Sequence, residues 1–510
     1  MKKYFSDQAI LWGLAFLILI IHILTNAFGA YGYFRDELYY IACSDRLAFG
    51  YVDQPPFSIL LLAVNRLLFG DSIVALRLLP AISHALVVFL TGLLAKEFGG
   101  NRFSQVFAAI AALIAPVYLV IFNFYSMNAF DILLWALAIL IVVKIIQTSK
   151  SSLWILFGII AGIGLQNKLS MLFLIFGTGV GLLLTRHRRQ LLSRWFWLGA
   201  AIAFLIFLPN ILWQMKNDWP TLEFMHNATV YKNAPTSFID FLSGQFEQMH
   251  PFAVLLWLPG LIYLLASRRL GKYRLFAFAY LAIFLIFVIQ NGKAYYLSPI
   301  YPVLFAAGSI LADRVLNRML PAMTKPAIIT IFVLGGIFLA PLSLTMLPVE
   351  SFIQYTKMLG IEIESEERDN PGKLPQHYAD MFGWPEMTAT VARVYENLDL
   401  REKENCVIFA QNYGQAGALE FFGKKYHLPP VISGHNNYWL WGPGMMAQPD
   451  VVIVIAGNPA DYEELFSSYE KAAIIQHKYA RAFETNLPVY VCRGLKVAVK
   501  EVWAETRHYM

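Results

Sequence analysis

The sequence is a succession of apolar runs, many near the ~20 residues needed to cross a hydrocarbon core, joined by short connections rich in Lys and Arg. Few folds accommodate such a chain. In lipid every backbone N–H and C=O must find a partner within the protein, so the runs must be helices. They fall at approximately 8–28, 73–95, 104–122, 132–147, 153–166, 170–185, 196–214, 252–267, 275–290, 299–313 and 327–347. An α-helical polytopic membrane protein with about 11 transmembrane helices is therefore predicted. Composition agrees: 58% of residues are apolar and only 15% charged, against roughly 25% charged in soluble domains. The first run, preceded by Lys2 and Lys3, is longer than the ~7–15-residue core of a signal peptide and reads as a retained span.

Placing the N-terminus inside makes "KEFGGNR", "KIIQTSKSS", "RHRRQLLSRW", "SRRLGKYR" and "DRVLNRMLPAMTK" cytoplasmic. With Lys2 and Lys3 they hold roughly twice the Lys and Arg of the opposite-side connections, as the positive-inside rule requires. The net charge of +6 is thus a topology signal and not a nucleic-acid footprint. "PPFSILLLAVNRLLFG" (Pro55–Gly70) is apolar but short, opens with two prolines and carries Asn65 and Arg66. An Arg near the bilayer centre costs about 2.5–3.5 kcal/mol on insertion scales, so this segment reads as a helix lying at the outer interface. The expected location is the cytoplasmic (inner) membrane of a prokaryote. Residues 1–347 form the membrane domain, with outer loops at 29–72 and 214–251, and residues 348–510 lie outside.

That last region alternates strands ("CVIFAQ", "PPVIS", "DVVIVIAG", "AAIIQHKYA", "PVYVCRG") with helices through "GQAGALEFFGKKY" and "PADYEELFSSY". The pattern predicts a small extracytoplasmic α/β domain. It lacks a Gly-x-Gly-x-x-Gly fingerprint, so nucleotide binding is not indicated. Three cysteines exclude a disulfide framework. Cys406 and Cys492 are either a pair or two lone strand thiols.

Charge is scarce, so its placement matters. Asp36 and Glu37 in "YGYFRDELYY" and Asp53 in "GYVDQPP" follow the first span, among aromatic residues suited to an interface. Asp131 in "NFYSMNAFDILLW" opens an apolar run. An ionisable group at membrane depth is costly and by default functional, although Asp at a helix start also serves as an N-cap. Lys168 in "GLQNKLSML" and Lys293 in "QNGKAYYLSPIYP" occupy very short outer connections. Either they snorkel to the interface, or they hold a membrane-borne phosphate. Arg35 and Arg77 are weaker candidates, and Tyr295 and Tyr296 are potential phosphate donors or ordinary belt residues. Ten histidines form no metal motif. His22 and His84 read as core histidines, and His435 in "SGHNNYWLWGPG" as part of a packed loop or a partner contact.

Together, "RDELYY", "GYVDQPP", Asp131, "NKLS" and "GKAYYLSPIYP" resemble membrane glycosyltransferases of the GT-C fold. More narrowly they resemble glycosyltransferase family 39, which contains protein mannosyltransferases and lipid A aminoarabinose transferases. The resemblance spans roughly residues 8–345 and implies transfer of a sugar from a polyprenyl-phosphate donor to a protein, lipid or cell-envelope glycan on the outer face. Inversion at the anomeric carbon is implied too. The family's base matches Asp36. Glu37 would orient it or bind the acceptor, and Asp131 would shape the pocket. Lys168, Lys293 and Arg35, with Tyr295 and Tyr296, would hold the phosphate. Aminoarabinose transferases carry an acid followed by Lys-Pro-Pro where this chain has Asp53 and Gln54. That Lys contacts the lipid phosphate, so Gln54 puts an aminoarabinose donor in doubt. The acid can help bind a metal in relatives; no obligatory metal or other cofactor is expected here, and a divalent ion is the remaining possibility. Expected partners are the lipid-linked sugar, its acceptor and membrane lipids, without nucleic acid. Rival readings are a transporter or flippase of lipid-linked sugars, or a non-catalytic membrane receptor.

Overall fold

A computed structural model describes residues 6–234, 236–319, 321, 324–361, 372–444 and 449–510. Among them, seven helices are long and apolar enough to cross a membrane: Asp7–Phe28 (α1), Ile73–Glu97, Met127–Thr148, Arg194–Lys216, Gly271–Ile289, Ala294–Met319 and Thr324–Leu342. The helices Phe238–Gln248 and Pro251–Ala266 meet at 101° and make an eighth span if taken together. The expected runs at 153–166 and 170–185 are the helices Leu153–Asn167 and Met171–Leu183, each shorter than a full crossing. The run at 104–122 is broken: Arg102–Ile114 ends at Ala115, whose extended backbone precedes Pro116, and a second helix runs Pro116–Ile121. Steric conflict between a proline ring and the preceding residue accounts for the break.

The chain forms two compact units. The first comprises Met1–Gly29, Phe69–Leu212 and Pro235–Phe352. Its helices start on side-chain caps: Ser6 Oγ accepts from Ala9 N at 3.2 Å, and Asn101 Oδ1 accepts from Ser104 N at 3.1 Å. Small residues let backbones touch. A Cβ on Gly158 or Gly260 would overlap the facing backbone of Gly199 or of Leu304 and Gly308, the close approach that drives helix association where no hydrophobic force operates between helices. His22 and His84 are both buried. His84 Nε2 donates to Ala112 O at 3.2 Å, leaving Nδ1 to accept from His22 Nε2 at 2.8 Å. They are paired core histidines, as the sequence suggests.

The second unit comprises Ala30–Leu68, Trp213–Ala234 and Ile353–Met510. The segment after α1 and residues 213–234 therefore pack with the C-terminal region, a grouping that the simple cut between residues 347 and 348 does not capture. The loop contributes α2 (Arg35–Ser44) and α3 (Phe57–Phe69). α2 lies against α4 (Tyr413–Phe422) at Gly417, where a Cβ would strike the Leu38 backbone. α3 buries Ile59, Leu62 and Asn65 and exposes Leu60, Val64, Leu67 and Leu68. Arg66 does not enter an apolar medium: its Nη1 reaches Asp45 Oδ1 at 2.6 Å and Ile41 O at 3.2 Å. With 13 residues, α3 is too short to span and has one apolar face, the form of an interfacial helix.

The sheet contains β1 (Cys406–Phe409), β2 (Val431–Ile432), β3 (Val451–Ile455), β4 (Phe466–Ile475) and β5 (Leu487–Leu495). Its order is β2-β1-β3-β5-β4. β2, β1 and β3 run parallel, and β5 and β4 complete it antiparallel. Val407, Val452, Tyr490, Tyr462, Phe466 and Trp503 build a core on one face. β4 starts at Phe466, within the stretch expected to be helical. The helix stops at Leu465 because Phe466 pairs with Leu495 and β-pairing overrides local propensity. Cys406 and Cys492 are buried free thiols. They sit opposite Val451 and Val452 on either side of β3, and a strand between them puts them beyond the ~7 Å Cα limit of a disulfide.

Candidate functional site

Five of the expected residues belong to the second unit. Its α2 begins with Arg35, Asp36 and Glu37, so one helical turn presents all three. The Asp36 side chain is 36% exposed, and its Oδ1 accepts from the Tyr413 hydroxyl at 2.9 Å. Arg35 is buried. Its Nε lies 3.9 Å from Asp36 Oδ1 and 3.9 Å from Asp380 Oδ1, its amide donates to Asp380 O at 3.0 Å, and its guanidinium covers the Tyr413 ring at 5.2 Å. Arg481 closes the lattice, 3.4 Å from Asp380 Oδ2. Buried guanidinium–carboxylate contacts of this kind fix orientation more than they add stability, and here they hold the start of α2.

Glu37 is almost fully buried, and its Oε2 accepts from Phe34 N at 2.8 Å. It satisfies an otherwise orphaned donor at the helix N-terminus. Asp53 is half-buried, with the Tyr39 hydroxyl donating to Oδ1 at 3.0 Å. Burial drives its pKa up to about 7; the neighbouring Asp36 charge adds to this, while the Tyr39 bond and the Lys232 charge oppose it. Two carboxyl groups on one loop are thus in different environments: Asp36 open and supported, Asp53 half-buried with its pKa raised. Gln54 is 1% exposed, and neither side-chain polar atom has a hydrogen-bond partner among the described residues. A buried, unsatisfied amide is costly and marks a place where a water or a ligand group is wanted.

The other five belong to the helical unit. Asp131 lies within the first two turns of the Met127–Thr148 helix and is 2% exposed. It is not the N-cap. Ser126 holds that position, its Oγ accepting from Asn128 N at 3.3 Å. Asp131 Oδ1 instead accepts from Ser170 Oγ at 2.7 Å. Lys168 Nζ donates to Asn128 Oδ1 at 2.6 Å and lies 5.7 and 5.3 Å from the ring centroids of Tyr295 and Tyr296. Its charge acts on Asp131. Asp131, Lys168, Tyr295 and Tyr296 therefore form one cluster, and the Lys168 ammonium does not snorkel. Lys293 is half-buried at the entry to the Ala294–Ile300 turn. Arg77 is buried and donates to Asn26 Oδ1 at 3.0 Å.

The sequence reading misses Tyr39, Asp380, Tyr413 and Asn437 in the second unit and Asn128 and Ser170 in the first. Tyr39 and Asn128 stand within the quoted motifs, but nothing local distinguishes them. Asp380 and Tyr413 are hundreds of residues from Asp36, and only folding brings them there. No three of His, Cys, Asp and Glu gather as a metal group among the described residues. Around Asp53 the polar groups are the Tyr39 hydroxyl and, through it, the Asn437 amide at 3.1 Å.

Residues 53–213 match the family model of dolichyl-phosphate-mannose-protein mannosyltransferases. No curated protein matches the chain. Among solved structures, ArnT from Cupriavidus metallidurans in the apo state superposes with a TM-score of 0.62 at 15% identity, covering 95% of this chain and 97% of ArnT. The same enzyme bound to undecaprenyl phosphate gives 0.56 at 15% identity, with the same coverage. The archaeal oligosaccharyltransferase AglB from Archaeoglobus fulgidus gives 0.46 at 11% identity, covering 86% and 69%. The family model bears out the resemblance to glycosyltransferase family 39 over residues 53–213, and the superposition on ArnT bears out the GT-C fold read from the sequence.

Proposed function

We propose that this membrane protein, built on the GT-C fold, moves a sugar from a polyprenyl-phosphate donor to an acceptor hydroxyl or phosphate on the outer face, with inversion at the anomeric carbon. The observation that carries the reading is Asp36. It is a part-exposed carboxylate at the first turn of a helix, fixed by the Tyr413 hydroxyl, in a stretch whose sequence resembles the family. A lipid phosphate leaves without a strong general acid. The acceptor must lose a proton as the anomeric centre gains oxocarbenium character, and Asp36 takes it. Glu37 fixes the turn that aims Asp36, and Asp53 with Gln54 contributes polar groups to substrate. Lys168 and Lys293, with the Tyr295 and Tyr296 hydroxyls, are assigned to the phosphate, whose charge grows as it departs. Asp131, tied to Ser170 beside Lys168, shapes the pocket. Undecaprenyl phosphate bound to ArnT supports a donor of that lipid class.

The test is transfer in vitro from a panel of polyprenyl-phosphate sugars to cell-envelope glycans, lipids and proteins. Release of free polyprenyl phosphate with sugar on an acceptor is the expected result. Movement of intact lipid-linked sugar across vesicles without sugar release would replace the transferase with a flippase.

A further inference from the structure

We propose that Asn128 is a positioning residue: its carboxamide oxygen aims the Lys168 ammonium at the phosphate of the lipid-linked donor and leaves that charge for the phosphate. The inference rests on Lys168 acting as a phosphate ligand and adds the residue through which the cation is set.

The backbone gives the ammonium little fixity. Lys168 follows the Leu153–Asn167 helix in extended conformation, and a lysine head rides on a flexible four-carbon stem. Two stretches distant in sequence supply the fixity. Asn167 Nδ2 donates to Met127 O at 2.8 Å, Lys168 Nζ to Asn128 Oδ1 at 2.6 Å and Ser170 Oγ to Asp131 Oδ1 at 2.7 Å. Residues 127–131 and 167–170 are thereby stitched together, with the Lys168 bond between the other two.

The Asn128 amide has one sensible orientation here. Its Nδ2 donates to Ser126 Oγ at 3.3 Å, the same oxygen that accepts from Asn128 N at 3.3 Å. The nitrogen end is engaged by the helix cap, so the carbonyl end faces Lys168. An ammonium has three donors and no acceptor. One donor goes to Asn128, and the Tyr295 and Tyr296 ring centroids at 5.7 and 5.3 Å lie within cation–π range. An amide oxygen and two rings are neutral, so they hold the cation without cancelling its charge. The Asp131 charge acts on it as well, but Asp131 Oδ1 is engaged by Ser170.

Residue type points the same way. Asn128 occupies the second position of the Met127–Thr148 helix, where the helix dipole favours an acid. Asp has the shape of Asn and bonds an ammonium more strongly. Stability alone therefore favours Asp at this position, and Asn is the choice that spares the lysine charge. A carboxylate there would also repel the incoming phosphate.

The experiment measures binding of undecaprenyl phosphate, the lipid seen on ArnT, to the purified full chain in detergent by native mass spectrometry. Undecaprenol, which lacks the phosphate, is the control. Asn128→Ala frees the lysine and weakens binding roughly tenfold, the scale of a hydrogen bond to a charged group. Asn128→Asp holds the lysine but cancels it, and weakens binding by about a hundredfold. A merely structural role predicts the opposite order, since Asp preserves shape and suits a helix start. In a Lys168→Gln background Asn128→Ala costs less than about twofold, because its effect runs through the lysine. Thermal melting verifies folding, and the isosteric Asn128→Asp still decides if Asn128→Ala melts early. Binding by Asn128→Asp as tight as by wild type or Asn128→Ala, or an equal Asn128→Ala effect with and without Lys168, overturns the proposal. Undiminished binding by Lys168→Gln, or equal binding of undecaprenol, instead defeats the phosphate reading on which it rests.

Discussion

Four carboxyl groups illustrate how residue-scale environment separates roles. Asp36 is open and held by a hydroxyl, Glu37 caps a helix, Asp53 is half-buried with its pKa raised to about 7, and Asp131 is tied to Ser170. Replacing Asp36 with Asn keeps its shape and removes proton acceptance. Single-turnover transfer should fall by about 10²–10⁴-fold with the melting temperature unchanged, and undiminished transfer in a well-expressed variant would remove Asp36 as base. Glu37→Ala instead loses a capping bond, so a stability decrease of about 1 kcal/mol is expected in denaturation, on the scale of other cap losses. Asp53 makes stability depend on pH. Its pKa is raised on folding, so the unfolded chain releases this proton from about pH 3.8 upward while the folded chain keeps it until about pH 7. Its ionisation therefore lowers stability progressively across that window and adds no further penalty above it. Asp53→Asn, which can still accept from Tyr39, should flatten this part of the melting-temperature profile and be the more stable protein at pH 8.

At the scale of elements, α2 and α4 form the joint that matters. Tyr413 carries the hydroxyl that reaches Asp36 from the start of α4. Tyr413→Phe keeps the ring beside Arg35, Tyr39 and His435 and deletes one hydrogen bond. A loss of roughly tenfold in kcat with unchanged melting is expected, and an unaltered kcat would reduce Tyr413 to packing. Elements differ in how far the sequence foretells them. The spanning helices and α3 are legible because apolar periodicity and bilayer thickness act locally. β1, β3 and β5 are legible as short apolar runs. The early start of β4 is not, since its pairing with β5 decides it. Nor is the break at Ala115–Pro116, although the proline was there to be weighed.

For the whole molecule, the distribution of basic residues predicts an orientation that can be tested. The three native cysteines are buried, so single reporters are readily introduced. Leu47 is exposed on the segment after α1, and Arg188 lies in the Arg186–Leu192 turn. A membrane-impermeant thiol reagent applied to intact spheroplasts should label Leu47→Cys and leave Arg188→Cys unlabelled until the membrane is opened. The reverse pattern would place Asp36 in the cytosol, where outer-face transfer fails.

Amino-acid order alone determined that the chain crosses a membrane, roughly where, and which signature its first loop bears. These follow from the energetics of placing apolar and charged groups at a given depth, which each segment settles by itself. Only the tertiary structure decided that Tyr413 supports Asp36, that Lys168 lies among Asn128, Asp131 and two tyrosines, and that Gln54 is buried without a partner. Those contacts join positions far apart in the chain, and no local preference encodes a bond whose second atom arrives from elsewhere.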